Sequence, residues 1–217
     1  TMGELHRFDL QPFVEKFNLK TYFETGTGKA VSLRHALRFS FDDYFSVDID
    51  SELIEEASYL KKECVNLTLI EGFSKDAIRD IVPVLDNQKA VLFFLDAHFP
   101  GADFHKISYE NSIRKYKKDA FPLLGEIQLI KSLRDTSKDM FIIDDLMLYE
   151  MGDYGCFQEG VFWKYEWLQK ELGLETSSEP IYEAFENTHS FKKDLRDQGY
   201  LLITPQPANI VKTGEQI

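Results

Sequence analysis

Two acidic clusters, each at the end of an apolar run, carry the strongest chemical signal in the chain. Leu95-Asp96-Ala97-His98 closes the run that begins at Ala90, and Asp144-Asp145 follows Met140-Phe141-Ile142-Ile143. An almost wholly apolar run reads as a strand buried on both faces, so each run delivers its polar residues to the carboxyl edge, where open α/β sheets bind ligands. If the two strands are neighbours, Asp96, Asp144 and Asp145 converge. Three carboxylates that close repel and raise one another's pKa unless a cation sits among them. An all-oxygen set favours a hard ion, Mg2+ first, with Ca2+ or Mn2+ as alternatives. Successive strand residues face opposite ways, so Asp144 and Asp145 reach one ion only if the strand breaks there. The competing reading has one of them capping a turn and Asp96 binding a cofactor or the backbone. His98 lies two residues beyond Asp96, at the start of a long loop, with an imidazole that ordinarily titrates near about 6.5.

A second site precedes these. Tyr22-Phe23-Glu24-Thr25-Gly26-Thr27-Gly28 is an apolar run that ends in an acid and opens into a glycine turn. Glycine lets the backbone turn sharply and approach a ligand, and the helix that follows directs free N–H groups at it. A phosphate loop is a poor fit, because Gly28-Lys29 is followed by Ala30 and the earlier glycine position holds Phe23. A dinucleotide fingerprint needs a third glycine where Val31 stands. Asp48 ends the next strand 20 positions after Gly28, about where an acid receives a ribose diol.

The elements that must position these residues alternate. A broken helix spans 4–18 around Pro12; strands are expected at 44–48, 66–70, 90–95 and 140–143, with helices at 31–37, 51–62 (capped by Ser51), 74–83 (capped by Ser74) and along Leu123, Ile127, Ile130 and Leu133. Further on, a helix is expected at 160–172, strands at 181–185 and 200–204, and a tail at 205–217. This is an α/β chain, a doubly wound seven-stranded sheet with helices on both faces, forming a single domain over 1–217. Residues 99–119 form an inserted loop or lid. That loop holds His105, Lys106, Arg114, Lys115, Lys117 and Lys118, which either steer a phosphate-bearing substrate or form a solvated face. Phe162, Trp163, Tyr165 and Trp167 either wall a substrate pocket or belong to the core.

Bulk properties narrow the class. The net charge of −12 over 217 residues disfavours nucleic acid as a partner. No apolar run reaches the ~20 residues of a membrane span, and two cysteines suggest neither a disulfide framework nor a metal cluster. A cytoplasmic protein with a small-molecule substrate is expected, and a homo-oligomer is left open.

Glu24-Thr25-Gly26-Thr27-Gly28 resembles the opening motif of class I S-adenosylmethionine-dependent methyltransferases, which implies a Rossmann-like sheet with S-adenosylmethionine at that turn. The resemblance also implies that Phe73 and Ser74 lie near the adenine; a core phenylalanine and a capping serine are the alternative. Asp96, His98, Asp144 and Asp145 sharpen it to metal-dependent sugar O-methyltransferases of the macrocin, mycinamicin and novobiocin type, and Leu95-Asp96-Ala97-His98 is also similar to a strand end in methyltransferase-like proteins of undefined substrate. By that resemblance Asp96, Asp144 and Asp145 hold the metal, Asp96 and His98 are catalytic, and His98 is the base, although Asp-Ala-His stands where many relatives have Asp-Gly-Asp. The implied reaction is O-methylation of a sugar or similar small polar acceptor, such as a nucleotide sugar. A nucleotide-dependent oxidoreductase and a non-catalytic cofactor-binding protein are the alternatives.

Overall fold

The computed structural model describes residues 5–155, 170–174 and 177–207. Its centre is a seven-stranded sheet in the order β3-β2-β1-β4-β5-β7-β6. The strands are β1 (Leu19–Thr25), β2 (Asp43–Asp48), β3 (Leu67–Glu71), β4 (Ala90–Leu95), β5 (Met140–Ile143), β6 (His189–Asp194) and β7 (Tyr200–Pro205). β1 to β5 are parallel, and β7 runs antiparallel to both β5 and β6. The strand order reverses between β1 and β4, which makes their carboxyl ends the place for a ligand.

Alternating side chains divide the core into two layers. Phe23, Phe93, Leu95, Phe141 and Ile143 face α4 (Ser74–Ile81), α5 (Tyr109–Tyr116), α6 (Leu123–Leu133) and α7 (Glu179–Phe185). Tyr22, Leu92, Phe94, Met140 and Ile142 face α1 (Gln11–Phe17), α2 (Val31–Ala36) and α3 (Ser51–Ala57) with the short 3-10 helix after it. Helices therefore cover both faces, as the apolar character of β4 and β5 requires. Register is fixed by packing: Phe93 lies opposite Phe141, and their rings stack with centroids 5.0 Å apart. Such a pair contributes about 0.5–1.5 kcal/mol beyond its buried area. It also sets Leu95 beside Ile143, so Asp96 and Asp144 leave the sheet side by side.

Several boundaries differ from the sequence reading. Residues 181–185, expected as a strand, belong to α7, whose buried Ile181 and Phe185 four positions apart share a helical face; the edge strand is His189–Asp194. Asp50, not Ser51, caps α3, accepting the Glu52 N–H at 3.1 Å, and Ser74 begins α4 without a side-chain cap before it. The loop at 99–119 contains α5, capped by Ser108 on the Asn111 N–H. No helix among the described residues is long and apolar enough to cross a membrane. The aromatic residues Phe162, Trp163, Tyr165 and Trp167, with most of the helix expected at 160–172, lie outside the described residues, as does most of the tail.

Candidate functional site

At the β1 end the backbone hooks over the sheet. The N–H groups of Gly26 and Thr27 both donate to the Val47 carbonyl, at 2.8 and 3.1 Å. Gly26 has φ +85°, and a Cβ there would lie 2.6 Å from the Asp96 carbonyl oxygen. Only glycine fits so close an approach in the left-handed region. Gly28 donates its N–H to Asp48 Oδ2 at 2.9 Å, while Asp48 Oδ1 accepts the Asp50 N–H at 2.9 Å. Each Asp48 oxygen retains acceptor capacity for a ligand hydroxyl. Burial raises the Asp48 pKa.

Glu24 points away from the ligand edge. Its carboxylate accepts the Tyr22 hydroxyl at 3.0 Å and the Ser46 hydroxyl at 2.6 Å, and Ser46 lies 2.7 Å from the Thr27 hydroxyl. Burial pushes Glu24 up to about 8. Glu24 and Thr27 thus act as struts beneath the turn, and Thr25 Oγ1 accepts the Asp96 N–H at 3.3 Å. None of these three lines the cleft; Gly26, Gly28, Asp48, Phe73, Ser74 and Asp96 do.

At the β5 end the strand breaks as one-ion convergence demands. Asp145 adopts a left-handed conformation (φ 51°, ψ 45°) before a 3-10 turn, and Asp144 Oδ1 accepts its N–H at 2.7 Å. Asp tolerates that conformation better than most residues. The break turns Asp145 toward His98, whose Nε2 lies 2.6 Å from Asp145 Oδ2 and whose Nδ1 lies 3.5 Å from Asp96 Oδ1. Asp103 Oδ2 is 3.9 Å from Nε2. Burial opposes charge on His98, but the carboxylates, Asp145 foremost, outweigh it and hold the imidazole up to about 9. Burial, then neighbouring acids, raise Asp96 and Asp144 well above the usual carboxylate range.

Asp96, His98 and Asp145 line the cleft and Asp144 does not. Asp144 Oδ2 and Asp145 Oδ1 are buried without a hydrogen-bond partner. Such orphaned oxygens suit a hard cation, so the donor chemistry fits one. Among the described residues, no three His, Cys, Asp or Glu side chains are already arranged to hold a metal.

The cleft encloses about 1100 Å³, including its open mouth. Among the described residues, its walls carry Asp48, Asp50, Asp96, Asp103, Asp119 and Asp145, with His98 and no Lys or Arg. The 99–119 segment forms one wall through Phe99, Pro100, Gly101, Asp103, Phe104 and Tyr109. Two of its basic residues are engaged in ion pairs. Lys106 bridges Asp50 at 2.5 Å and Glu52 at 2.7 Å, pinning the segment to the end of β2, and Arg114 pairs with Glu110 and Glu171.

Sequence reasoning missed Tyr22 and Ser46, which hold Glu24, and Asp103, Phe104 and Gln198, which line the cleft. The Ser46 position had a readable signal, a polar residue inside an otherwise apolar strand; Gln198 had none.

No family model matches the chain, and no curated protein does. Solved structures do. A Staphylococcus aureus protein assigned as a caffeoyl-CoA O-methyltransferase superposes with a TM-score of 0.52 at 10% identity, over 91% of this chain and 81% of that one. A Geobacter sulfurreducens methyltransferase gives 0.51 at 10% identity, over 94% and 76%. The Streptomyces achromogenes O-methyltransferase TomG, in complex with S-adenosylmethionine, gives 0.50 at 12% identity, over 94% and 78%. Similarity at that level is one of fold, and the fold is the seven-stranded Rossmann-like sheet of S-adenosylmethionine-dependent methyltransferases.

Proposed function

We propose that the chain is an S-adenosylmethionine-dependent O-methyltransferase that methylates a hydroxyl of a sugar or other small polar acceptor with the help of a divalent cation. One observation carries the choice of cofactor: among the described residues, the cleft at the β1–β4 switch point is walled by six aspartates and by no Lys or Arg. A field of that sign attracts a sulfonium with its α-ammonium group and repels a dinucleotide pyrophosphate. Lys75 and Lys106 offset Asp119 and Asp50 from outside the lining, protonated His98 offsets Asp145, and Asp96, raised well above the usual carboxylate range, keeps its proton; Asp48 and Asp103 leave the sign negative.

In this reading Asp48 receives the ribose hydroxyls, Gly26 and Gly28 admit the methionine end, and Phe73 and Ser74 flank the adenine. Asp96, Asp144 and Asp145 would hold the cation, which when bound would acidify the acceptor hydroxyl as a Lewis acid. The acceptor oxygen attacks the methyl carbon, the carbon–sulfur bond breaks to leave the thioether, and the hydroxyl proton passes to His98. His98 accepts that proton only once positive charge in the cleft offsets the carboxylates that hold its own. The lid excludes water and fixes the partners, which supplies much of the rate.

Isothermal titration with S-adenosylhomocysteine and with NAD+ tests the cofactor assignment. One-to-one binding of the first and none of the second is expected. Binding of NAD+ without S-adenosylhomocysteine would move the chain to the oxidoreductases.

A further inference from the structure

We infer that Gln198 supplies a further oxygen to the cation held at the ends of β4 and β5, an inference that rests on the metal-assisted reading above. Gln198 lies in the turn between β6 and β7, far in sequence from the acidic clusters, and lines the cleft together with Asp96, His98 and Asp145. Its Oε1 is buried and has no hydrogen-bond partner. Leaving such an acceptor unsatisfied costs about 1–3 kcal/mol. Asp145 Oδ1 and Asp144 Oδ2 share the same condition. All three are acceptors that find no donor where they stand; a hard cation can satisfy all of them, and amide and carboxylate oxygens are the ligands such ions take.

The turn is built to hold that oxygen still. The Leu146 N–H donates to the Gly199 carbonyl at 2.9 Å and the Met147 N–H to the Gln198 carbonyl at 3.0 Å. The two residues directly after Asp145 are thereby tied to the turn that carries Gln198, which fixes the backbone of one relative to that of the other. From the other side, Arg7 pairs with Asp197 at 2.7 Å. Gly199 has φ +83°, and a Cβ there would collide with the Tyr154 ring, so the turn's shape depends on glycine. His98 occupies Asp145 Oδ2 at 2.6 Å and leaves Oδ1 as the oxygen open to an ion. Gln198 therefore adds a neutral oxygen to a set in which every other proposed ligand is a carboxylate, and avoids the repulsion that a fourth acid would bring.

The test is a titration of Mn2+ with S-adenosylhomocysteine present, free ion being read by electron paramagnetic resonance, on wild type, Gln198→Leu and Gln198→Glu. Wild type is expected to bind one ion. Gln198→Leu should bind it roughly tenfold or more weakly, while Gln198→Glu, which keeps an oxygen at the same reach, should stay within about threefold of wild type or bind more tightly. Thermal unfolding of each variant checks that the turn has formed; if leucine unfolds it, Gln198→Asn, which withdraws the oxygen by one methylene, should show the same loss. Wild-type binding with a Gln198→Leu affinity within about twofold of it would overturn the role of Gln198 and leave the metal-assisted reading standing. No Mn2+ bound by wild type would overturn both.

Discussion

Replacing Glu24 by Gln should remove a large part of the chain's loss of stability between pH 5.5 and 7.5. Glu24 is fully buried between Tyr22 and Ser46, and burial lifts its pKa from an ordinary 4.5 to about 8. Below about 4.5 both the folded and unfolded chains hold the proton, so the group is neutral to stability. As pH rises past that value the unfolded chain releases the proton while the fold keeps it, and stability falls. The loss levels off above about 8, where the folded carboxyl ionises as well. Each pH unit inside that window costs about 1.4 kcal/mol, so the interval from pH 5.5 to 7.5 costs about 2.5 kcal/mol once the approach to the folded pKa is included. The glutamine side chain of the variant has no proton to lose but can still hydrogen-bond both hydroxyls. Urea unfolding of wild type and Glu24→Gln at both pH values isolates this contribution, because the other titrating groups cancel between the two proteins. The gap in unfolding free energy should shift toward the variant by about 2.5 kcal/mol as pH rises. A gap constant to within about 0.5 kcal/mol, the usual spread for independent sites, would refute the placement of a protonated acid beneath the turn.

Two further outcomes follow from the same geometry. His98→Ala should lower kcat by roughly 10²–10⁴ with S-adenosylhomocysteine affinity retained; unchanged turnover at saturating acceptor would remove His98 from the chemistry. Lys106→Ala cuts the tie between the 99–119 segment and Asp50 and Glu52; if that segment closes over the cofactor as proposed, stopped-flow should show S-adenosylhomocysteine leaving roughly two- to fivefold faster. The wild-type rate should rise with salt and the variant's should not; equal salt dependence would show that the tie does not gate release.

Much of the fold was legible because the parallel strands are buried on both faces and read as apolar runs, while glycine and acids punctuate their carboxyl ends. Parity made a strand break the condition for Asp144 and Asp145 to share one ion, and Asp145 is left-handed just after β5. The edge was less legible. β6 alternates exposed Ser190, Lys192 and Lys193 with few apolar residues, whereas Ile181 to Phe185 has the apolar content of a strand but the spacing of a helix. The burial of Glu24 beneath the turn, bonded to Tyr22 and Ser46, was not legible, because sequence does not show which face of β1 a side chain leaves by once the strand bends. Gln198 was invisible for another reason: its place in the cleft depends on the antiparallel return of β7 beside β5, a pairing made across more than fifty residues.

The most direct measurement is a crystal structure with S-adenosylhomocysteine. The ribose hydroxyls should lie on the Asp48 carboxylate and the methionine end against Gly26 and Gly28, with the sulfur facing Asp96 and His98. A ligand seated elsewhere, or one that leaves Asp48 and the glycine turn untouched, would contradict the assignment of this cleft as a methyl-donor site.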